Sequence, residues 1–455
     1  MRSIYIFRRD FSINDNLGFI ECYKKSSNIL PIFIFTPEQI ETNPYFSKKS
    51  FNFMLESLNE LDDELKTNYK TQIHYYYGDN TNILKDIYKK YNYDSIYFNM
   101  DYTPYAKKRD EQILNFCNEN KINCFMIENY LLMPIGTFLK DDMSVYQKYT
   151  PFKNRAKKIN IPKPNNYKFN SEKFDKIKYS FNLKDLEKYI DKDNSIIHGG
   201  RKNALNILKN MDKFNNYSTE RNNLTKETTH LSAYIKFGCV SIREVYDSIY
   251  KLFGADNGLI DQLLWREFYF YLVYYIPRVL EQKSLKDKYD KIVWENDPKK
   301  FEAWMNGNTG FPIVDAGMRE LNSTGFMHNR ARLVTSCILI KILNCDWRLG
   351  EKYFATKLID YDPSVNNGNW QWVSGSGADS QPYFRIMSPW KQSIDYDPNC
   401  EYIKRWIPEL KEIPNKDIHN WNKNYNKYKI KYHGPIVDYD IMRKDIVEIY
   451  KKGLY

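Results

Sequence analysis

The sequence predicts an α/β unit followed by an all-α unit. Three observations carry this. Short β-rich runs alternate with helical patterns over residues 1–128, strand signals fade from about Gly199, and the 455-residue length suits two to three domains of roughly 150 residues. The β-rich runs are Ile4 to Phe7, Leu30 to Phe35, Gln72 to Tyr76, Ser95 to Phe98 and Asn123 to Ile127. Between them, the clearest helical stripe is Phe51, Met54, Leu55, Leu58, Leu61 and Leu65. Such alternation gives a parallel sheet with helices on both faces, and sheets of this kind bind ligands beyond the carboxyl ends of their strands. No GxGxxG follows the first strand. The later Gly375-Ser-Gly377 lacks a strand–turn–helix frame and has Ser380 at its third glycine position, so a dinucleotide fingerprint has no support.

Residues 129–198 read as an interdomain linker, because INIPKPNNYKFNSEKFDKIK is rich in Lys, Asn and Pro. Residues 199–455 carry helical patterns from HGGRKNALNILKNM to a closing turn and helix in GPIVDYDIMRKDIVEIYKK. There is no internal repeat and no low-complexity tract.

Hydrophobic residues make up 42% and charged residues 27%, a globular balance. The formal net charge of +11 favours a polyanionic partner such as nucleic acid. The seven cysteines, Cys22, Cys117, Cys124, Cys239, Cys337, Cys345 and Cys400, are scattered, and the six histidines do not join them at ligand spacing. Neither a disulfide framework nor a metal site is expected, and a reducing compartment fits. With no leader pattern and no long apolar run, the expectation is a soluble intracellular protein without membrane contact, in the cytoplasm or, in a eukaryote, the nucleus.

The densest polar and aromatic stretch runs from Gly325 to Trp372 and holds GFMHNRARL, DWRLGEKYF and LIDYDPSVNNGNWQW. Pro363 presets its own φ and keeps Asp362 out of the α region, so Asp360-Tyr361-Asp362-Pro363 reads as a turn. Taken singly, these residues fit a polar loop with Trp370 and Trp372 tucked into a core. Upstream, Tyr217 and TTHLSAYIKFG place small hydroxyls at a helix start, where free N–H groups suit a pyrophosphate. DQLLWREFYFYL is apolar nearly all round, as a buried helix is, with Gln262, Trp265, Arg266 and Tyr269 on one face.

Together these stretches closely resemble the photolyase/cryptochrome family. The likeness spans nearly the whole chain and is strongest from Tyr217 to Gln392. FRRDFSINDN and FNMDYTPYAKKRD resemble the family's N-terminal motifs, and YQKYTPFKNRAKK resembles a segment at the domain junction. The resemblance implies a Rossmann-like antenna domain over 1–128 and a helical FAD-binding, DNA-binding catalytic domain over 199–455. It implies FAD held by Tyr217, Thr228, Thr229, His230, Leu231, Ser232, Arg332, Asp360, Tyr361, Asp362 and Asn366, with Arg332 paired to Asp360 and Asn366 at the N5 edge of the isoalloxazine. It implies DNA contacts from Arg221, Gln262, Trp265, Arg266, Tyr269, Asn329, Arg330, Leu333, Trp372 and Gln392, with Trp265 and Trp372 walling a flipped-out lesion. Trp370, Trp347 and Trp294 match the family's electron relay from flavin to surface. For the antenna site, a folate, a deazaflavin and an empty site all stay open.

Gln262 stands where repairers of cyclobutane pyrimidine dimers commonly carry Glu; it can hydrogen-bond a pyrimidine edge but cannot offer a carboxylic proton. The (6-4) photolyases share two histidines at the positions held here by Asn329 and Leu333, and both are missing, which argues against (6-4) repair. Leu333 replaces the Met usual in dimer repairers and keeps an apolar wall. The resemblance therefore implies a class I deoxyribodipyrimidine photo-lyase, acting on pyrimidine dimers in ultraviolet-damaged DNA through photoexcited reduced FAD. It is expected to work as a monomer, without metal or obligate protein partner. The rivals are a cryptochrome-type blue-light photoreceptor and a DASH-type single-strand-specific photolyase. The chain stops soon after Arg443, where signalling cryptochromes carry a long tail, and His328 stands where the DASH type has serine; both points favour the enzyme.

Overall fold

A computed structural model of the protein describes residues 1–175, 177, 180–191, 193 and 195–454. Its first part is β1 (Arg2–Phe7), α1 (Leu17–Lys25), β2 (Asn28–Phe35), α2 (Lys48–Tyr69), β3 (His74–Tyr77), α3 (Asn80–Tyr91), β4 (Ser95–Asn99), α4 (Pro104–Glu119) and β5 (Asn123–Ile127). The strands form one parallel sheet in the order β3-β2-β1-β4-β5. Its strands are apolar on both sides because helices cover both faces. Ile4, Leu30 and Ile96 pair across one face, while Tyr5, Phe33 and Tyr97 belong to the opposite core. β3 starts two residues later than the sequence pattern suggests, since the Ile73 N–H is taken by Asp62 Oδ1 at 2.7 Å instead of the sheet.

β1 is the central strand, so Arg8, Arg9 and Asp10 emerge at its carboxyl edge. Tyr5 and Asn99 both donate to Asp10 Oδ2 at 2.6 Å, and Asn16 caps α1 through Phe19 N. The opening motif's acid and amide thus tie β1, β4 and α1 together.

The connecting stretch contains α5 (Tyr149–Ala156), whose Tyr149 and Phe152 are buried. Further on, Asp175 N donates to Ile29 O at 2.8 Å and Phe181 N to Tyr75 O at 2.7 Å, so the strap lies along β2 and β3. Lys176, Lys178, Tyr179, Lys192 and Asn194 of this stretch lie outside the described residues, as does Tyr455 at the end of the helical region.

Among the described residues, no strand follows β5. The helices that position the site are α6 (Leu231–Lys236), α7 (Ile242–Phe253), α8 (Gly258–Tyr275), α9 (Asn329–Lys341), α10 (Trp347–Lys357), α11 (Pro363–Ser374) and α12 (Tyr439–Leu454). Arg243 on α7 reaches back to the first domain: its Nε pairs with buried Asp15 at 2.8 Å, and its other nitrogens donate to Asp15 O, Asn129 and Leu131 O. Among the described residues, no helix is long and apolar enough to cross a membrane, and no His, Cys, Asp or Glu cluster is arranged to hold a metal.

Candidate active site

The site grows from the turn before α11. Asp362 has the extended backbone its following proline demands, φ −119°, and caps α11 by accepting from Ser364 N at 3.0 Å. Its other oxygen accepts from Arg9 at 2.8 Å, and the same guanidinium holds Asp101 at 2.9 Å. The carboxyl edge of the sheet is thus joined to the helical domain through one arginine. Two residues earlier, Asp360 takes both oxygens to Arg332 of α9, at 3.0 and 3.1 Å, and accepts from Ser232 Oγ at 2.7 Å. The turn and the pairing of Arg332 with Asp360 are as the sequence led one to expect.

Burial alone would raise both carboxyl groups, but the cations outweigh it. Arg332 and Lys236 hold Asp360 below the usual carboxylate range, and Arg9, Arg266 and Lys236 do the same for Asp362. Four cations, Arg9, Lys236, Arg266 and Arg332, thereby face Asp101, Asp360 and Asp362, and Arg266 also meets Glu267 at 3.8 Å, whose carboxyl burial pushes up to about 8. Cations so gathered suit a phosphate-bearing ligand.

Several groups of the site keep accessible surface. Burial lowers Lys236 to a pKa of about 8; its Nζ donates to Ser50 Oγ at 2.9 Å, and the residue is only partly buried. Ser232 is exposed, and its hydroxyl donates to Asp360, whose carboxylate is 6% accessible. His230 Nδ1 is buried with no partner in the protein. On α11, Val365, Asn366, Asn369 and Trp372 keep half-exposed surface along one side, while Asn367, Trp370 and Gln371 are buried. The donors and cations gathered here are of the kind that hold a phosphate-bearing cofactor such as the FAD expected from the sequence.

The hydroxyl segment differs in detail from simple capping. α6 begins at Leu231, and His230 is its cap residue in the left-handed conformation, φ 51°, with no side-chain cap bond. Thr229 Oγ1 accepts only a long contact from Leu231 N, 3.4 Å, and Thr228 precedes it half-exposed. Their hydroxyls are therefore not consumed by the helix. Tyr217 lies half-buried, its ring against Gly258 at the start of α8.

On α8, Gln262 and Trp265 are half-exposed, with Gln262 making one weak bond to Gly258 O at 3.4 Å. Tyr269 is buried, its ring pressed on Gly368 of α11. Trp265 sits one turn before that contact and Trp372 one turn after it. Arg266 beside them donates to Tyr130 O at 2.7 Å, lies over Phe270 at 4.3 Å and faces Asp362. Asn329 is exposed at the first turn of α9, and Leu333 is half-exposed. Arg330 lies over Tyr396 at 4.3 Å and donates to Asn222 at 2.7 Å, leaving Nε unpartnered. Gln392 Oε1 is likewise unpartnered, and Arg221 is exposed.

Trp370 is 2% exposed, and its ring packs against Gly350 of α10 and edge-on to Phe354 at 4.9 Å. Trp347 lies on that same face of α10, one turn before Gly350. The Asp346 N–H beside it donates to Asn296 Oδ1 at 2.7 Å, which brings the Trp294 segment alongside. Trp294 is half-exposed and meets Tyr450 of α12 edge-on at 5.7 Å. Trp370 and Trp347 are buried, and Trp294 keeps accessible surface.

Three residues of the site were given no role from sequence. Lys236 and Arg9 sat within quoted motifs, but their partners are far away in the chain. Glu351, in DWRLGEKYF, is buried and accepts from Asn366 Nδ2 at 2.9 Å; Tyr361 OH reaches it at 3.5 Å. Burial pushes it up to about 7 against the lowering effect of those two bonds.

A parallel α/β domain latched to a helical body, with cations and half-exposed aromatic residues gathered on its helices, fits a two-domain flavoprotein. Residues 3–167 match the DNA photolyase family model, and residues 259–452 match the FAD-binding domain of DNA photolyase. The deoxyribodipyrimidine photo-lyase of Buchnera aphidicola subsp. Acyrthosiphon pisum is 34% identical, covering 99% of this chain and 97% of its own; that of Escherichia coli is 30% identical, covering 98% and 97%. The crystal structure of an archaeal photolyase from Sulfolobus tokodaii with two FAD molecules superposes with a TM-score of 0.90 at 36% identity, covering 99% of this chain and 100% of that one. A bacterial class III photolyase from Agrobacterium tumefaciens has a TM-score of 0.90 at 28% identity, covering 99% and 97%. The chain belongs to the DNA photolyase family, and FAD is the cofactor of its helical domain.

Proposed function

We propose that the protein is a class I photolyase that splits cyclobutane pyrimidine dimers in ultraviolet-damaged DNA under light. The observation that carries this is the pair of half-exposed indoles, Trp265 and Trp372, each one turn from the Tyr269–Gly368 contact. Asn366, six residues before Trp372 on α11 and about 120° around the helix from it, is also half-exposed.

In this reading, Asp360, Arg332, Ser232 and Lys236 hold the dinucleotide, with the Thr228–Thr229 hydroxyls and His230 beside its phosphates. When bound, photoexcited reduced FAD supplies one electron to the dimer and recovers it after the ring opens, with no net redox change. Trp265 and Trp372 stack on the extruded bases and exclude water. Gln262 offers an amide to a pyrimidine edge, accepting and donating at once. Asn329, Arg330, Arg221 and Gln392 contact the strand, and the basic excess makes binding weaken with salt. Trp294, Trp347 and Trp370 would pass electrons inward from a small thiol reductant in solution to restore the reduced cofactor, and take no part in repair. An antenna chromophore belongs to the proposal too. The archaeal neighbour's two FAD molecules add a second flavin to folate and deazaflavin as candidates.

Two duplexes, one carrying a single thymine cyclobutane dimer and one a single (6-4) product, test the reading under blue light. Recovery of thymines from the first and none from the second is expected, because Asn329 and Leu333 supply no imidazole proton. Repair of the (6-4) duplex, or of neither, would overturn it.

A further inference from the structure

We infer that Tyr149, in the connection between the domains, is a positioning residue that fixes the lesion-facing indole of Trp265. This rests on the reading of Trp265 as a base-stacking wall. Tyr149 opens α5, and its ring lies flat on Trp265, with centroids 3.7 Å apart and planes 8° from parallel. Phe268 meets the same indole edge-on at 5.6 Å, and Tyr269 lies tilted at 5.7 Å. Tyr149 is buried, whereas Trp265 keeps accessible surface. One face of the indole is therefore covered, and the surface it retains lies where these three rings leave it open. A base stacks on an indole only across a face, so the covered side sets which side receives the base.

Tyr149 is itself pinned. Its hydroxyl donates to Asp261 O on α8 at 2.8 Å, and burial raises that hydroxyl far above its ordinary pKa, so it stays a neutral donor. One turn on, Lys153 pairs with Asp261 Oδ2 at 2.7 Å. Phe152 packs on Phe268 at 5.4 Å and Tyr271 at 5.6 Å. An indole on a helix surface without such a neighbour samples more than one staggered χ1 well. The stack selects one well before DNA arrives, which removes an ordering cost from binding. The connection thus contributes the back wall of the substrate opening.

The test is dark binding of FAD-loaded protein to a duplex with one cyclobutane dimer and to the same duplex undamaged. The proteins are wild type, Tyr149→Phe, Tyr149→Leu, Trp265→Ala and the Tyr149→Leu/Trp265→Ala double variant. Leu keeps apolar bulk at a site where Ala would risk the fold, and it lacks a flat ring. Tyr149→Leu is expected to weaken dimer binding about three- to ten-fold, the scale of a lost aromatic pair, with flavin occupancy and affinity for undamaged DNA unchanged. Tyr149→Phe is expected to keep the wild-type preference. In the Trp265→Ala background, Tyr149→Leu is expected to change nothing further. Equal losses in both backgrounds would show that Tyr149 does not act through Trp265. No loss from Tyr149→Leu, alongside loss of dimer preference from Trp265→Ala, would overturn the inference and leave the wall standing. Full dimer preference in Trp265→Ala would remove the wall, and the inference with it.

Discussion

Asn366 donates its amide nitrogen to Glu351 twice, to the carboxyl oxygen at 2.9 Å and to the main-chain carbonyl at 3.2 Å. A protonated Glu351 still accepts through its carbonyl oxygen, so the amide keeps this orientation, and what the proton changes is the charge beside Asn366. Burial pushes the Glu351 carboxyl up to about 7. Glu351→Gln is expected to remove the inflection near neutral pH from the reduction potential of the bound flavin, read by potentiometric titration; an unaltered inflection would separate Glu351 from the cofactor. At this scale the sequence was read well where a local rule acts. The Asp362-Pro363 turn follows from proline's sterics alone. Glu351 escaped notice because its partner is on the next helix, and no spacing within DWRLGEKYF points there. The protein partners of Arg266 escaped notice for a related reason: helical azimuth puts it with Gln262 and Trp265, whereas Tyr130 and Asp362, which it meets, are distant in the chain.

At the level of elements, α10 and α11 pack through Gly350 and Trp370, and the proposed indole relay would begin at that seam. A branch exists: Trp304 meets Trp370 at 6.2 Å. Its other ring neighbours are not indoles: Phe301 and Phe354 each stack on Trp304 at 5.8 Å, and Tyr353 meets it edge-on at 5.7 Å. Trp347→Phe is therefore expected to abolish photoreduction of oxidised flavin while repair by pre-reduced enzyme continues. Photoreduction that survives Trp347→Phe but fails in Trp304→Phe would reroute the relay. The strands were legible from sequence because their runs are short, β-rich and bounded by helical stripes. The connection was not. Its Lys, Asn and Pro content masks α5, whose buried residues, Tyr149, Phe152 and Ala156, make too short a stripe for periodicity to reveal.

Across the whole molecule, two buried groups join the domains. Arg243 and Asp15 are both nearly inaccessible, so removing one leaves the other's charge uncompensated. Arg243→Ala is expected to cost about 3–5 kcal/mol in denaturant unfolding; a loss below about 1 kcal/mol would assign the latch to the surrounding packing. Glu267 is fully buried on α8, accepts from Leu132 N at 3.0 Å, and burial raises its pKa from 4.5 to about 8. Between those values the folded state keeps a proton that the unfolded chain has released, so this group's contribution to stability falls as pH rises from about 4.5 to about 8. Glu267→Gln is expected to flatten that part of the melting-temperature profile. An identical slope in both proteins would mean another group sets it.

The central claim is that a flavin held by Asp360 and Asn366 lies within electron-transfer reach of a lesion held by Trp265 and Trp372. The most direct measurement is the fluorescence lifetime of the enzyme-bound reduced flavin, with and without saturating dimer-containing duplex. A lifetime shortened by the dimer, unaffected by the undamaged duplex and restored in Trp265→Ala at the same concentration, is the predicted result. A lifetime that stays unchanged with the dimer bound would contradict the account.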